Sequence, residues 1–255
     1  MSQPNHHREL HLMRVILTND DGIDAPGILA LARAVIRLGV GEVFVVAPNG
    51  PRSGCGHVVT THAPVDTVRR PDGSFSIAGT PADCVRLAIH HLVPGADWVL
   101  SGINAGGNLG ADVYHSGTAA AAREATFHGI PSIAISHYIA KGLSIDWDVA
   151  SDLAVEVLRD LMSHPRPAGF FWNVNLPHPL TEGLDQPWIH CPLDPSPLPL
   201  VYRVEDDRAE YCGNYHDRVR RPGGDVDVCF SGRIAVSRIP LGCGSSLADG
   251  GFDPA

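Results

Sequence analysis

The chain has no apolar run approaching the ~18 residues of a membrane span. It has no CxxC pair among its cysteines at 55, 84, 191, 212, 229 and 243, and no excess of basic residues. Each absence removes a class. No transmembrane segment is expected. Cysteines so widely scattered in a chain this long build neither a small disulfide framework nor a zinc ribbon, so reduced thiols are expected. With 19 basic against 28 acidic residues and a formal charge of −9, the chain lacks the clustered Lys and Arg that displace counterions from a nucleic-acid polymer. A small phosphorylated ligand needs only a local site and stays open. The first residues, MSQPNHHRELHL, hold no apolar signal-peptide core, which points to the cytoplasm. Residues 1–12 read as a flexible leader in which His6, His7 and His11 are incidental, with the folded part beginning at Met13.

What is present is a globular balance. The chain has 255 residues, 44% hydrophobic and 18% charged, enough for one large domain with a sizeable core. From residue 13 to 177 strand and helix patterns alternate. VILT (Val15–Thr18) is a short apolar run. PGILALARAVIRLG follows, with Pro26 suited to a first helical turn and Gly39 to a stop. EVFVVAP (Glu42–Pro48) and SFSIAG (Ser74–Gly79) read as strands. GTPADCVRLAIHHL reads as a helix capped by Thr80, with Pro81 in its first turn and Asp83 near its positive end. WVLSGIN reads as a strand ending near Ile103, AAAAREATFHG as a helix ending by Gly129, and SIAIS as a strand. DWDVASDLAVEVLRDLMSH shows the i, i+3, i+4, i+7 spacing of an amphipathic helix, and FFWNVNLP closes the series at Pro177. The expected fold is α/β: a mostly parallel, Rossmann-like sheet with helices on both faces. Residues 178–255, with prolines crowded between Pro187 and Pro199, read as a β-rich excursion and tail of the same domain, suited to oligomerisation.

In such a sheet, ligands gather beyond the carboxyl ends of the strands. Asp20 and Asp21 fall after the first strand, Ser53 in the loop PNGPRSGCGH after the second, and Asn104 after WVLSGI. Ser116, Gly117 and Thr118 precede a helix. The donors are oxygens, a set suited to one hard divalent cation, Mg²⁺ or Mn²⁺, rather than zinc. The competing reading is that Asp20 and Asp21 only cap a turn shaped by Asn19 and Gly22. The segment SGINAGGNLGADVYHSGT lacks the Lys–Ser/Thr ending of a P-loop and is not a GxGxxG opening a helix. Its glycines let backbone approach a ligand, and the helix after Ser116–Gly117–Thr118 directs unpaired N–H groups at an anion, with Asn108 as an added donor.

RVILTNDDGIDAPGI, PRSG (Pro51–Gly54), GTPADCV (Gly79–Val85) and SGINAGGNLGADVYHSGT together resemble the SurE (survival protein E) family of metal-dependent nucleotidases, continuously from about Arg14 to Pro177. The resemblance implies metal ligation by Asp20, Asp21, Ser53 and Asn104. It implies hydrolysis of nucleoside 5′- and 3′-monophosphates, polyphosphate shortening in some members, and homodimers or homotetramers built through C-terminal excursions. Two departures stand out. His115 replaces the Tyr usual before Ser-Gly-Thr; it reads as solvent-facing or packing, with altered substrate preference as the alternative because it borders the expected cradle. In DVDVCFSGRIAVSRIPL, Asp225, Asp227, Ser237, Pro240 and Leu241 fit the family's closing pattern, whereas Ile234–Ala235 replace a usual Gly-Tyr and Ile239 a usual Thr. His216, in the excursion, reads as a surface residue or one that approaches the substrate.

The expected chemistry is phosphomonoester hydrolysis by a metal-activated water, with Asp20 or Asp21 as the proton acceptor. No Cys or Ser stands beside an evident His base, so no covalent intermediate is indicated. Consecutive acids followed by Gly22 lack the second acid of a DxD phosphatase, and two aspartates at a dinucleotide-binding turn would repel a pyrophosphate. The alternative from another class is a non-catalytic, metal-dependent nucleotide sensor using the same pocket.

Overall fold

The computed structural model describes residues 12–164, 169–180 and 188–242; the three leader histidines and Cys243 lie outside them. VILT lengthens into β1 (Met13–Thr18). Pro26 opens α1 (Pro26–Leu38), which stops where Gly39 turns left-handed at φ 64° and donates its N–H to the Ile36 carbonyl. β2 (Gly41–Pro48), β3 (Thr67–Arg69) and β4 (Phe75–Ile77) follow. α2 (Pro81–Leu87) starts on a capping box: Thr80 Oγ1 accepts the Asp83 N–H at 3.2 Å and Asp83 Oδ2 accepts the Thr80 N–H at 3.0 Å. Then come β5 (Trp98–Ala105), two residues longer than expected, α3 (Gly117–Phe127), β6 (Ser132–His137), α4 (Trp147–Ser163) and β7 (Phe170–Leu176).

Beyond Pro177 lie β8 (Trp188–His190), the ribbon β9 (Tyr202–Glu205) and β10 (Arg208–Tyr211), α5 (Asp225–Phe230) and β11 (Ile234–Pro240). The expected β-rich character is therefore broken by α5, whose six residues are too few to show a helical period. Its first turn carries Asp225 and Asp227, which complement the positive end.

Nine strands form one sheet in the order β3-β4-β2-β1-β5-β6-β7-β11-β8. Pairing is parallel except at β3–β4 and β7–β11. The alternation of each strand feeds both faces. Val15 and Leu17 point into a core with Ile28, Leu31 and Val35 of α1 and Ala154 and Leu158 of α4. Ile16 and Val99 point the other way, onto Cys84 and Val85 of α2 and Ala121 and Ala125 of α3. Each large aliphatic side chain so buried stabilises the fold by about 1.5–3 kcal/mol. Ile234 and Ala235, in place of the family's Gly-Tyr, are fully buried, and β11 runs from Ala235 opposite Asn175 to Pro240 opposite Phe170. The altered tail thus docks on the sheet.

Candidate metal and phosphate site

The turn after β1 is closed by Asn19, not by the aspartates. Asn19 Nδ2 donates to the Gly22 carbonyl at 2.8 Å, and its Oδ1 accepts the Gly22 N–H at 3.2 Å. Gly22 sits at φ 104° against the Gly50 backbone, where a side chain would be strained. Because Asn19 performs this local task, both carboxylates are released to reach across the rim.

Asp20 is 5% exposed and accepts the Thr118 hydroxyl at Oδ1, 2.6 Å away. Its main-chain carbonyl accepts the Arg52 N–H at 2.7 Å, which brings in the loop carrying Ser53. Asp21 Oδ2 accepts the Ala105 N–H at 3.1 Å, which brings in the end of β5 with Asn104. Gly117 closes from above: a Cβ there would lie 2.9 Å from Asp20 Cβ and 3.2 Å from Cys55 Sγ. The segments bearing Asp20, Asp21, Ser53, Asn104 and Gly117 therefore meet on one rim.

This arrangement fits a hard cation. Among the described residues no Lys, Arg or His forms an ion pair with Asp20 or Asp21. Burial pushes the Asp20 carboxyl above its ordinary range and the charge of Asp21 adds to it, against the pull of the Thr118 hydroxyl. Asn104 donates Nδ2 to the Gly106 carbonyl at 2.8 Å, while its Oδ1 and the exposed Ser53 hydroxyl have no partner among the described residues. Burial, with the charge of Asp20 beside it, raises the Cys55 thiol above its ordinary value. Among the described residues no group of three or more His, Cys, Asp or Glu is placed to hold a metal, so the two acids need hydroxyl and amide oxygens to complete a centre.

The expected phosphate donors are placed differently from one another. Ser116 caps α3, its Oγ accepting the Ala119 N–H at 3.1 Å, and the Thr118 hydroxyl belongs to Asp20. Asn108 is 8% exposed, and its Nδ2 donates to Ser136 Oγ at 2.7 Å. Its N–H donates to Asn175 Oδ1 at 2.8 Å, and its carbonyl accepts Nδ2 of Asn173 at 2.9 Å and of Asn175 at 3.0 Å. The side chains of Asn108, Ser116 and Thr118 thus hold the loop and helix start together, leaving the backbone around Gly117 as the surface nearest the acids.

Sequence reasoning missed Asn173 and Asn175, although the period of two in NVNLP puts both on one face of β7. It also missed Asp112, Tyr215 and Arg218. His115 is solvent-facing, its side chain 61% exposed and 3.9 Å from Asp112. His216 is half-buried, Nδ1 lying 2.8 Å from the Tyr138 hydroxyl. Asp83 serves structure: besides its cap it accepts the Thr60 N–H at 2.8 Å and hydroxyl at 2.7 Å. The five described cysteines are unpaired, and no described helix is long and apolar enough to cross a membrane.

Comparison with known proteins gives the same outline. The family described as Survival protein SurE matches residues 15–189. A relative from Nostoc sp., provisionally named a 5′-nucleotidase, is 53% identical over 229 residues, covering 89% of this chain and 99% of its own. The 5′-nucleotidase SurE of Pelobacter propionicus is 43% identical over 207 residues, 81% of this chain and 77% of that one. The crystal structure of the SurE protein from Aquifex aeolicus superposes with a TM-score of 0.79 at 29% identity, covering 91% of this chain and 95% of that one. With the family match over residues 15–189, relatives at 43% and 53% identity over most of their length and a solved SurE structure that superposes on nearly the whole chain, this chain belongs to the SurE family.

Proposed function

We propose that the chain is a metal-dependent phosphomonoesterase that hydrolyses nucleoside 5′- and 3′-monophosphates to nucleoside and phosphate, with polyphosphate shortening as a second activity. The observation that carries this reading is the Asp20–Asp21 pair at the strand rim, Asp20 buried beneath the N-terminus of α3 and Asp21 half-buried beside it, neither with a cationic partner among the described residues. The names of the Nostoc and Pelobacter relatives support the same substrate class.

A single Mg²⁺ or Mn²⁺ held by Asp20, Asp21, Ser53 and Asn104 would supply charge neutralisation, phosphoryl polarisation and a more acidic water. Thr118 orients the first carboxylate and the Ala105 N–H the second, so neither has to reorganise during reaction. One of the two carboxylates accepts the proton of the attacking water. The start of α3 presents the backbone N–H groups of Gly117 and Thr118 to the equatorial phosphate oxygens, where the helix dipole adds to them, while the Ser116 N–H is held by the Asp112 carbonyl. Asn108 frames this cradle through β6 and β7.

The described residues 188–242 form part of the same domain as the core, β8 and β11 extending its sheet. Among the described residues the β9–β10 ribbon pairs with no other strand, and it exposes Tyr202, Val204 and Tyr211, which supports its use in a homodimer or homotetramer. The working compartment is the cytoplasm. The test is release of inorganic phosphate from 5′-AMP and from 3′-AMP, with and without Mn²⁺. Metal-dependent release supports the enzyme; tight nucleotide binding without turnover under any metal replaces it with a non-catalytic sensor.

A further inference from the structure

The glycine-rich loop between β5 and α3 is clamped by a segment that follows the β9–β10 ribbon. Arg218 is 3% exposed. Its Nη1 donates to Asp112 Oδ2 at 2.8 Å and its Nη2 to the Leu109 carbonyl at 3.2 Å. Tyr215 donates its hydroxyl to the same Asp112 oxygen at 2.8 Å, and its ring lies 5.0 Å from the Arg218 guanidinium. That oxygen also accepts the Leu109 N–H at 3.2 Å. Gly110, at φ 55°, is pressed so closely onto the Asp194 carbonyl that a Cβ would lie 2.6 Å from it.

A buried ion pair is a poor stability device, because desolvating two charges offsets most of their attraction. Its value here is geometric. The Asp112 carbonyl accepts the Ser116 N–H at 3.0 Å, Ser116 caps α3, and Thr118 in the first turn of that helix holds Asp20. Hydrogen bonds and the backbone of the helix start therefore lead from Arg218 to the acid at the strand end. We infer that Arg218, supported by Tyr215, is a positioning residue for the hydrolytic site: it sets the Leu109–Asp112 turn and so the placement at which α3 offers its N–H groups to the substrate phosphate. This rests on the phosphatase reading above. It concerns a residue that touches neither the acids nor the cradle.

The experiment uses the full chain loaded with Mn²⁺ and the variants Arg218→Met, Arg218→Lys and Tyr215→Phe. It measures KM and kcat for AMP, the inhibition constant of inorganic phosphate, Mn²⁺ affinity and the melting temperature. Arg218→Met is expected to raise KM and the phosphate inhibition constant about tenfold or more, and to weaken Mn²⁺ binding by less than loss of the Thr118 hydroxyl does, because Thr118 keeps its own bond to Asp20. Lysine, which keeps the charge but not the fork that reaches both Asp112 and Leu109, restores part of the loss. Tyr215→Phe moves both constants in the same direction by less; it leaves the ion pair intact and decides the matter if Arg218→Met does not fold. If KM and the phosphate constant stay fixed while kcat falls only with the folded fraction, the role is structural and the inference is overturned. If the wild-type protein releases no phosphate with any metal, the underlying reading fails before any substitution is made, and the inference falls with it.

Discussion

Thr118 donates its hydroxyl to Asp20 Oδ1 at 2.6 Å, joining the first turn of α3 to the end of β1 across 98 residues of sequence. The helix proposed to face the substrate phosphate thereby also orients the first acid. The proposed cation site and anion cradle are joined by this bond, because a buried hydrogen bond to a carboxylate fixes its rotamer.

Thr118→Val keeps the shape of the side chain and removes that bond. Mn²⁺ affinity is expected to fall about tenfold to a hundredfold, and the fold to lose about 1–2 kcal/mol. Calorimetric titration and thermal melting check both numbers. Unchanged affinity would separate the helix from the metal site.

Gly117→Ala adds a methyl group 2.9 Å from Asp20 Cβ and 3.0 Å from Asp20 Oδ2. Asp20 must shift, so the variant is expected to lose about 1–3 kcal/mol of stability and about a hundredfold in hydrolysis. Phosphate release and a urea melt on the same preparation measure the pair of effects.

Asp20→Asn removes a buried charge that has no cationic partner among the described residues. Metal binding and hydrolysis are expected to be lost. The metal-free variant should nonetheless melt higher than metal-free wild type, because burial and Asp21 both oppose the ionised carboxylate. Melting curves with and without Mn²⁺ test this: wild type gains stability from the ion and the variant does not.

Glu124 carries a pH-dependent contribution. His57, on the loop that bears Ser53, lies 2.7 Å from Oε2, His128 3.0 Å and Arg86 3.2 Å from Oε1. The His57 hydrogen bond, helped by His128 and Arg86, holds the carboxyl below its ordinary value of 4.5 despite burial. A depressed folded pKa means the unfolded chain binds more protons. The stabilisation is therefore complete above the ordinary value and is lost as pH falls through the depressed one. Glu124→Gln is expected to cost about 1–3 kcal/mol at neutral pH, with the gap to wild type closing below the ordinary glutamate range. Urea unfolding across that range reads it directly.

Much of the scaffold was legible because its signals are local. Pro26 and Gly39 bracket α1, the spacing in DWDVASDLAVEVLRDLMSH gives α4, and Thr80 with Asp83 marks the start of α2. β3, three exposed residues at the sheet edge, and α5, six residues after Gly224, are too short to carry a period. The convergence of the rim segments could be reasoned from strand ends, but side-chain partners could not. Asn108 looked like a free donor; its partners Ser136, Asn173 and Asn175 lie 28, 65 and 67 residues away. Arg218 stands in the excursion, where no helical period singles it out, and the fold places it on Asp112, 106 residues distant. No neighbouring residue announces a bond of that span.

The most direct measurement is anomalous diffraction at the manganese edge from crystals of the protein soaked in Mn²⁺. The account predicts one peak at the end of β1, within bonding distance of oxygens from Asp20, Asp21, Ser53 and Asn104, and none at that position in Asp20→Asn. A wild-type map with no ion between the two acids, or with the carboxylates turned to separate partners, would contradict it.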